Sequence, residues 1–239
     1  MNRILFILVM MYSTVAFSQS TEKYNSEYEN FYRAEDLYLK EQYGAARREF
    51  RLFLDEFNHP NDPMYVKASY YEAMSALELY NNDAVPLLMA FNHEYPESIY
   101  KKTVFFRLGK YFYYKKDYEE ALAWFNQLSV QDVEDEEKDE YYFKLGYSKF
   151  KEDNIEAARN AFYEIKDGTS QYASPALYYF SHIAYQNQNY EVALLGFLKL
   201  KDDPQFEKVV PYYIAQIYYL QGKYEEVTEY AKDIGTSGN

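Results

Sequence analysis

Three histidines, His59, His93 and His182, are the side chains best suited to proton transfer or metal binding near neutral pH. No two of them are three or four residues apart, so the helical spacing of a zinc hydrolase is absent. The chain has no cysteine, which excludes disulfides, cysteine nucleophiles and zinc sites of the Cys type. It also lacks a glycine-rich phosphate loop and a Gly-x-Ser-x-Gly elbow. We therefore predict no catalytic residue, no cofactor and no metal ligand, and a protein that is not an enzyme.

One acidic run, residues 132–140 (DVEDEEKDE), could attract cations. We interpret it as a solvated loop that leads into a helix, because negative charge is favourable at a helix N-terminus. A calcium site is the alternative, although the Asp-x-Asp-x-Asp-Gly pattern of a calcium loop is missing.

Composition limits the class of protein. The 239 residues carry a net charge of −13, and 48% are hydrophobic and 21% aromatic, so the chain can build a core. With 8 glycines and 7 prolines, it does not have the turn content of an all-β protein. The acidic balance argues against nucleic acid as a partner, since phosphate binding needs a basic face.

Residues 1–18 (MNRILFILVMMYSTVAFS) have the pattern of a secretory signal peptide. Arg3 precedes an apolar run of about twelve residues, which is short for a bilayer span, and Ala16 and Ser18 fit a cleavage site. A membrane anchor or a buried N-terminal helix is the alternative. No cysteine follows the run, so we predict no lipid anchor. We expect export to the bacterial periplasm, including the periphery of the outer membrane.

The remainder, residues 19–239, is predicted to be one array of repeats. Small or β-branched residues recur at positions 46, 85, 121, 158, 193 and 227, and a first small residue precedes each by twelve. A short polar turn lies between the two, which predicts a helical hairpin that must stack on its neighbours to bury its apolar face. The approximate repeats are 27–60, 64–97, 101–130, 139–168, 174–203 and 208–235.

The pattern resembles the tetratricopeptide repeat (TPR) family. The match rests on third-repeat residues Phe105, Leu108, Gly109, Phe112, Tyr118, Ala121 and Phe125, and on fourth-repeat residues Tyr142, Leu145, Gly146, Ala158 and Phe162. The resemblance implies an all-α fold, an α-solenoid of about six stacked hairpins that forms a right-handed superhelix. The longer N-terminal spacings are similar to those of periplasmic TPR proteins of outer-membrane assembly or associated with Tol–Pal.

Aromatic residues recur on the first helix of each repeat, three residues before the first small residue and again seven residues later. We call these positions the ladder. In the TPR arrangement this face lines the concave groove, so it is a candidate site for partner polypeptides; packing between neighbouring helices is the alternative. The candidate residues, which include three polar or aromatic ones between ladder positions, are Phe31, Tyr38, Tyr70, Phe106, Lys110, Tyr113, Phe143, Tyr147, Tyr178, His182, Tyr185, Tyr212 and Tyr219.

The predicted function is a non-enzymatic scaffold that captures envelope proteins through this face or through the ends of the array. A glycan-binding envelope protein is the alternative, because exposed tyrosines stack on sugars. No polar capping helix follows the last hairpin, so we expect either a longer native chain or an end that docks on a partner.

Overall fold

The computed structural model describes residues 28–236, with side chains up to residue 231. This part contains twelve α-helices and no strand, which confirms the predicted all-α fold. The helices form six consecutive hairpins: α1 (Glu29–Leu39) with α2 (Tyr43–Glu56), α3 (Pro63–Glu78) with α4 (Ala84–Glu94), α5 (Lys101–Tyr114) with α6 (Tyr118–Phe125), α7 (Lys138–Lys151) with α8 (Ile155–Tyr163), α9 (Ala173–Gln186) with α10 (Tyr190–Leu200), and α11 (Val210–Leu220) with α12 (Tyr224–Thr236). The predicted signal peptide lies outside the described residues.

The turn inside each hairpin has one backbone geometry throughout. Each first helix is followed by one residue with a positive φ, and these are Glu41, Tyr80, Lys116, Asp153, Gln188 and Gly222. The next amide donates a hydrogen bond back into the helix, as from Asp117 to the Phe112 carbonyl oxygen at 3.0 Å. This is the Schellman arrangement, which satisfies carbonyls that a helix end leaves unpaired.

Small side chains permit the two helices of a hairpin to approach closely. A Cβ atom placed on Gly109 would lie 2.5 Å from Cε1 of the buried Phe125, and one on Gly146 would lie 3.0 Å from Cε1 of Phe162. Both distances are shorter than a normal carbon–carbon contact of about 3.5–4.0 Å. The recurrent small residue is therefore explained by the crossing of the two helices.

The chain divides into two compact units, one ending at Val104 and the other beginning at Phe105. In the first unit, the core contains Phe31, Phe50, Phe53, Phe57 and the small residues of the first hairpin.

Beside this core, Arg47 pairs with Glu72 at 2.9 Å and also with Asp83, while Arg51 reaches Glu72 at 3.0 Å. Asp83 is the residue before α4, and its carboxylate accepts from Arg47 instead of capping the helix.

The second unit has several apolar clusters along its hairpins. They are centred on Phe125 with Tyr141, on Phe162 with Phe180, and on Phe197 with Ile214. Each cluster contains side chains of two successive hairpins, so a hairpin completes its core with its neighbour, as expected of a repeat.

Among residues 28–236, none of the helices combines the length and apolar character that a bilayer crossing would need.

Candidate functional site

The ladder positions of the first unit are mostly covered. Phe31 and Tyr70 are buried, and Tyr38 is half-buried against Tyr71, with ring centroids 4.7 Å apart. Phe31 packs on Phe50 and Phe53 of the next helix, and Tyr70 stacks on Tyr100 at 4.2 Å. Phe31 and Tyr70 therefore serve packing and are not accessible to a partner.

In the second unit, exposure of the ladder differs from helix to helix. Phe106 is buried, Tyr212 is 62% exposed and Tyr219 is 61% exposed. Five aromatic candidates of α5, α7 and α9 and the intervening His182 are half-buried: Tyr113, Phe143, Tyr147, Tyr178, Tyr185 and His182. The rings that a partner could reach are thus concentrated on α11, with only partial access on α5, α7 and α9.

A second stripe, which the sequence analysis missed, determines this exposure. Its members lie one residue after a ladder residue: Tyr71, Lys144, Tyr179 and Tyr213. Each packs on the ladder of the preceding first helix. Tyr179 lies 5.3 Å from the ring of the ladder residue Phe150 and 5.2 Å from that of Tyr147, and Tyr213 lies 5.3 Å from the Tyr185 ring. The recurrence of tyrosine at three of these positions was visible in the sequence and was the available signal.

Lys144 takes the place of a tyrosine in that stripe and is 97% buried, with 3% of its surface exposed. Its ammonium lies 4.4 Å from the Tyr113 ring centre and 4.2 Å from that of Tyr114, and it donates to the Tyr114 hydroxyl at 3.0 Å. Glu140 accepts from it at 3.3 Å. A buried ammonium needs such compensation, because removing a charge from water is costly unless it is paired.

Lys110, a predicted binding residue, is paired within the protein. Its ammonium lies 2.8 Å from Glu140 and 3.6 Å from Glu137, which also binds Arg107 at 3.2 Å. Burial opposes ionisation of Glu140, but the bonds from Lys110 and Lys144 prevail and lower its pKa. The end of the acidic run therefore compensates basic side chains of α5 and α7.

The rest of the run lies in two short 3-10 turns, Val130–Asp132 and Asp135–Glu137, and in the first turn of α7. Among the described residues, no group of three or more His, Asp or Glu side chains is arranged to hold a metal ion.

His182 lies in an aromatic surrounding between two helices. Its ring stacks on Tyr178 with centroids 6.1 Å apart and meets Tyr213 edge-on at 5.6 Å. Its Nδ1 is buried without a hydrogen-bond partner, and burial lowers the pKa of the imidazole. Burial, together with the Tyr213 hydroxyl, raises the pKa of Tyr178 to about 12. These groups are neutral near pH 7 and act as packing surfaces with polar edges.

Solved structures of two proteins are similar to this chain. One is a tetratricopeptide repeat protein from Parabacteroides merdae, 15% identical, with a TM-score of 0.58 over 90% of this chain and 81% of the other. The second is the C-terminal part of a TPR repeat-containing protein from Cytophaga hutchinsonii, 16% identical, with a TM-score of 0.60 over 92% and 87%. No protein-family model and no curated protein sequence matches the chain.

At these identities the likeness concerns the fold and not the function. It agrees with the six consecutive helical hairpins of the described residues. The described residues therefore have the tetratricopeptide-repeat fold.

Proposed function

We propose that this protein is a non-enzymatic scaffold of the bacterial cell envelope that captures partner polypeptides through the ladder face of its second unit. The observation that carries the proposal is the exposure of Tyr212 and Tyr219 on one helix, next to the partly accessible Tyr185. The Tyr185 hydroxyl donates to Oε1 of Gln216 at 3.3 Å, which joins α9 and α11 on this face.

Tyrosine suits such a surface because its ring buries a large area and its hydroxyl keeps a hydrogen bond available. Interface energy is usually concentrated in a few aromatic or arginine anchors, so two or three accessible rings are enough. Phe31, Tyr70 and Phe106 are excluded from this role by burial. A contact role for the half-buried ladder members remains part of the proposal.

The envelope location is supported by the sequence of residues 1–18, which has the charge, apolar run and small residues of an export signal. Cell fractionation tests this point directly. We expect the protein in the periplasmic fraction or with outer membranes, and with a new N-terminus at Gln19. A cytoplasmic protein that retains Met1 would contradict it.

Binding is tested by capture from envelope extract with the full chain and two variants. We expect Tyr212→Ala/Tyr219→Ala to lose its partners with helicity unchanged, since both rings are exposed. The matched control is Tyr163→Ala, a tyrosine of α8 with 59% of its surface exposed that lies outside the ladder. Equal capture by all three proteins would refute a role for the ladder face.

Glycan binding is the second candidate, favoured by the same two exposed rings. Retention of the wild-type protein on polysaccharide, lost in the double variant and accompanied by no captured protein, would select this alternative over the scaffold.

A further inference from the structure

The last hairpin exposes an apolar surface of unusual density for its length. Between residues 209 and 224, five large apolar side chains are exposed: Val209, Tyr212, Tyr219, Leu220 and Tyr224. Helix α11, which carries three of them, has no charged residue from Val210 to Leu220. Contiguous exposed apolar surface is uncommon on proteins that have no partner there, so this surface indicates an interaction site.

Carboxylates border this apolar surface. Glu225, Glu226 and Glu229 are exposed on α12, and within residues 28–231 none of them pairs with a Lys, Arg or His. The ring of Tyr224 meets that of Tyr219 at 5.7 Å, edge-on, and Tyr224 lines a shallow depression with Glu225, Thr228 and Glu229. Tyr219, Tyr224, Glu225 and Glu229 therefore form one continuous surface, which we call the tyrosine–glutamate face.

Elsewhere on the protein, exposed carboxylates often have a cation within their own helix. Arg33 binds Glu29 at 2.9 Å, and Arg159 binds Glu156 at 2.8 Å. Residues 209–231 contain a single basic side chain, Lys223, whose ammonium lies 6.0 Å from the Tyr218 ring. Among the described side chains of residues 209–231, three glutamates thus face one lysine, so this face is net negative in a chain of net charge −13.

We propose that the tyrosine–glutamate face binds an arginine-rich amphipathic segment of a partner polypeptide. A guanidinium stacks on a tyrosine ring and donates two parallel hydrogen bonds to a carboxylate, so Tyr219, Tyr224 and Glu225 offer both kinds of contact. Apolar side chains of the same segment would cover Tyr212 and Leu220. An acidic segment, or a second copy of this acidic chain, is repelled by the same carboxylates. The inference rests on the proposed scaffold function and specifies the chemistry of its partner.

The test uses two short fluorescent amphipathic peptides, one of Leu and Arg and one with Glu at every Arg position, and measures anisotropy with the full chain. We expect the Leu/Arg peptide to bind and the Leu/Glu peptide not to bind. Tyr212→Ala/Tyr219→Ala should weaken binding by about tenfold or more, the usual loss for an aromatic anchor. Added salt should weaken it further.

Two variants, each of which removes three carboxylates, distinguish the effect of charge on this face from the effect of the protein's total charge on peptide binding. One is Glu225→Gln/Glu226→Gln/Glu229→Gln; the control changes exposed residues on α6 and the second 3-10 turn, Glu119→Gln/Glu120→Gln/Glu136→Gln. We expect about tenfold weaker binding and a smaller salt dependence for the first, and little change for the control.

Equal losses in the two triple variants, or equal binding of both peptides, would overturn the inference. So would dimerisation of the wild-type chain that Tyr212→Ala/Tyr219→Ala abolishes, because a second copy would then be the occupant. If envelope capture still depends on the two tyrosines while the Leu/Arg peptide fails to bind, the scaffold function stands and only the basic partner is refuted.

Discussion

Gly109→Ala tests whether close helix crossing explains the recurrent small residue. The added Cβ would lie 2.5, 2.6 and 3.0 Å from three ring atoms of Phe125, which has no exposed surface. The ring must retreat by about 1 Å to reach a normal contact distance. Overpacking of a core typically costs about 1–3 kcal/mol, and three overlapping atoms in a buried ring favour the upper end of that range.

Part of this cost is offset, because alanine is better than glycine in a helix interior by about 1 kcal/mol. We therefore expect Gly109→Ala to lower the free energy of unfolding by about 2 kcal/mol. Gly44→Ala is the matched control: Gly44 lies in helix α2, and nothing stands within 4 Å of its added Cβ. It should be neutral or stabilise the protein by about 0.5 kcal/mol.

The assay is urea unfolding of the full chain followed by far-UV circular dichroism. Repeat arrays can unfold in parts, so hydrogen exchange in α5 and α6 should accompany it. Phe125→Leu supplies an independent check, because it removes ring atoms that the new methyl group meets. Its cost in the Gly109→Ala background should be smaller than in wild type by about 1 kcal/mol or more. Equal stability of Gly109→Ala and wild type, or additive effects in the double variant, would refute the reasoning.

Three further predictions concern charge and backbone strain. Burial lowers the pKa of His182, so this imidazole binds a proton less readily in the folded protein than in the unfolded chain. The contribution of His182 to stability should therefore be constant above about pH 7 and should fall as the pH drops below the ordinary pKa of 6.5. In thermal unfolding measured at a series of pH values across this range, His182→Phe should show a smaller decrease in stability than wild type. Arg47→Met should destabilise the first unit by about 2 kcal/mol in urea unfolding, because it leaves the buried Glu72 with Arg51 alone; an unchanged midpoint would show that the pair contributes nothing. Tyr80→Gly should raise the free energy of unfolding by about 1 kcal/mol, because Tyr80 is exposed and its φ of 55° costs a residue with a side chain about 1–2 kcal/mol; a lower urea midpoint than that of wild type would contradict this.

The periodic small residues were sufficient to predict the helical hairpins. A glycine, alanine or serine recurs about every three dozen residues, twelve before a second small or β-branched residue, and this spacing indicates a repeated helix crossing. Gly109 and Gly146 are located at such crossings. The ladder was also predicted as a face, because residues seven apart return to the same side of a helix. Both inferences depend on contacts within one hairpin, whose geometry the local sequence determines.

Exposure of that face was decided by tertiary structure alone. Whether Tyr147 or Tyr185 can be reached depends on a residue of the next hairpin, Tyr179 or Tyr213, and local periodicity contains no information about which neighbour covers which ring. The burial of Lys144 under two tyrosines is of the same kind, since it depends on Glu140 and on rings thirty residues away. The sequence by itself determined the repeating unit, because helix pairing is local; stacking of the units decided which tyrosines remain available for a partner.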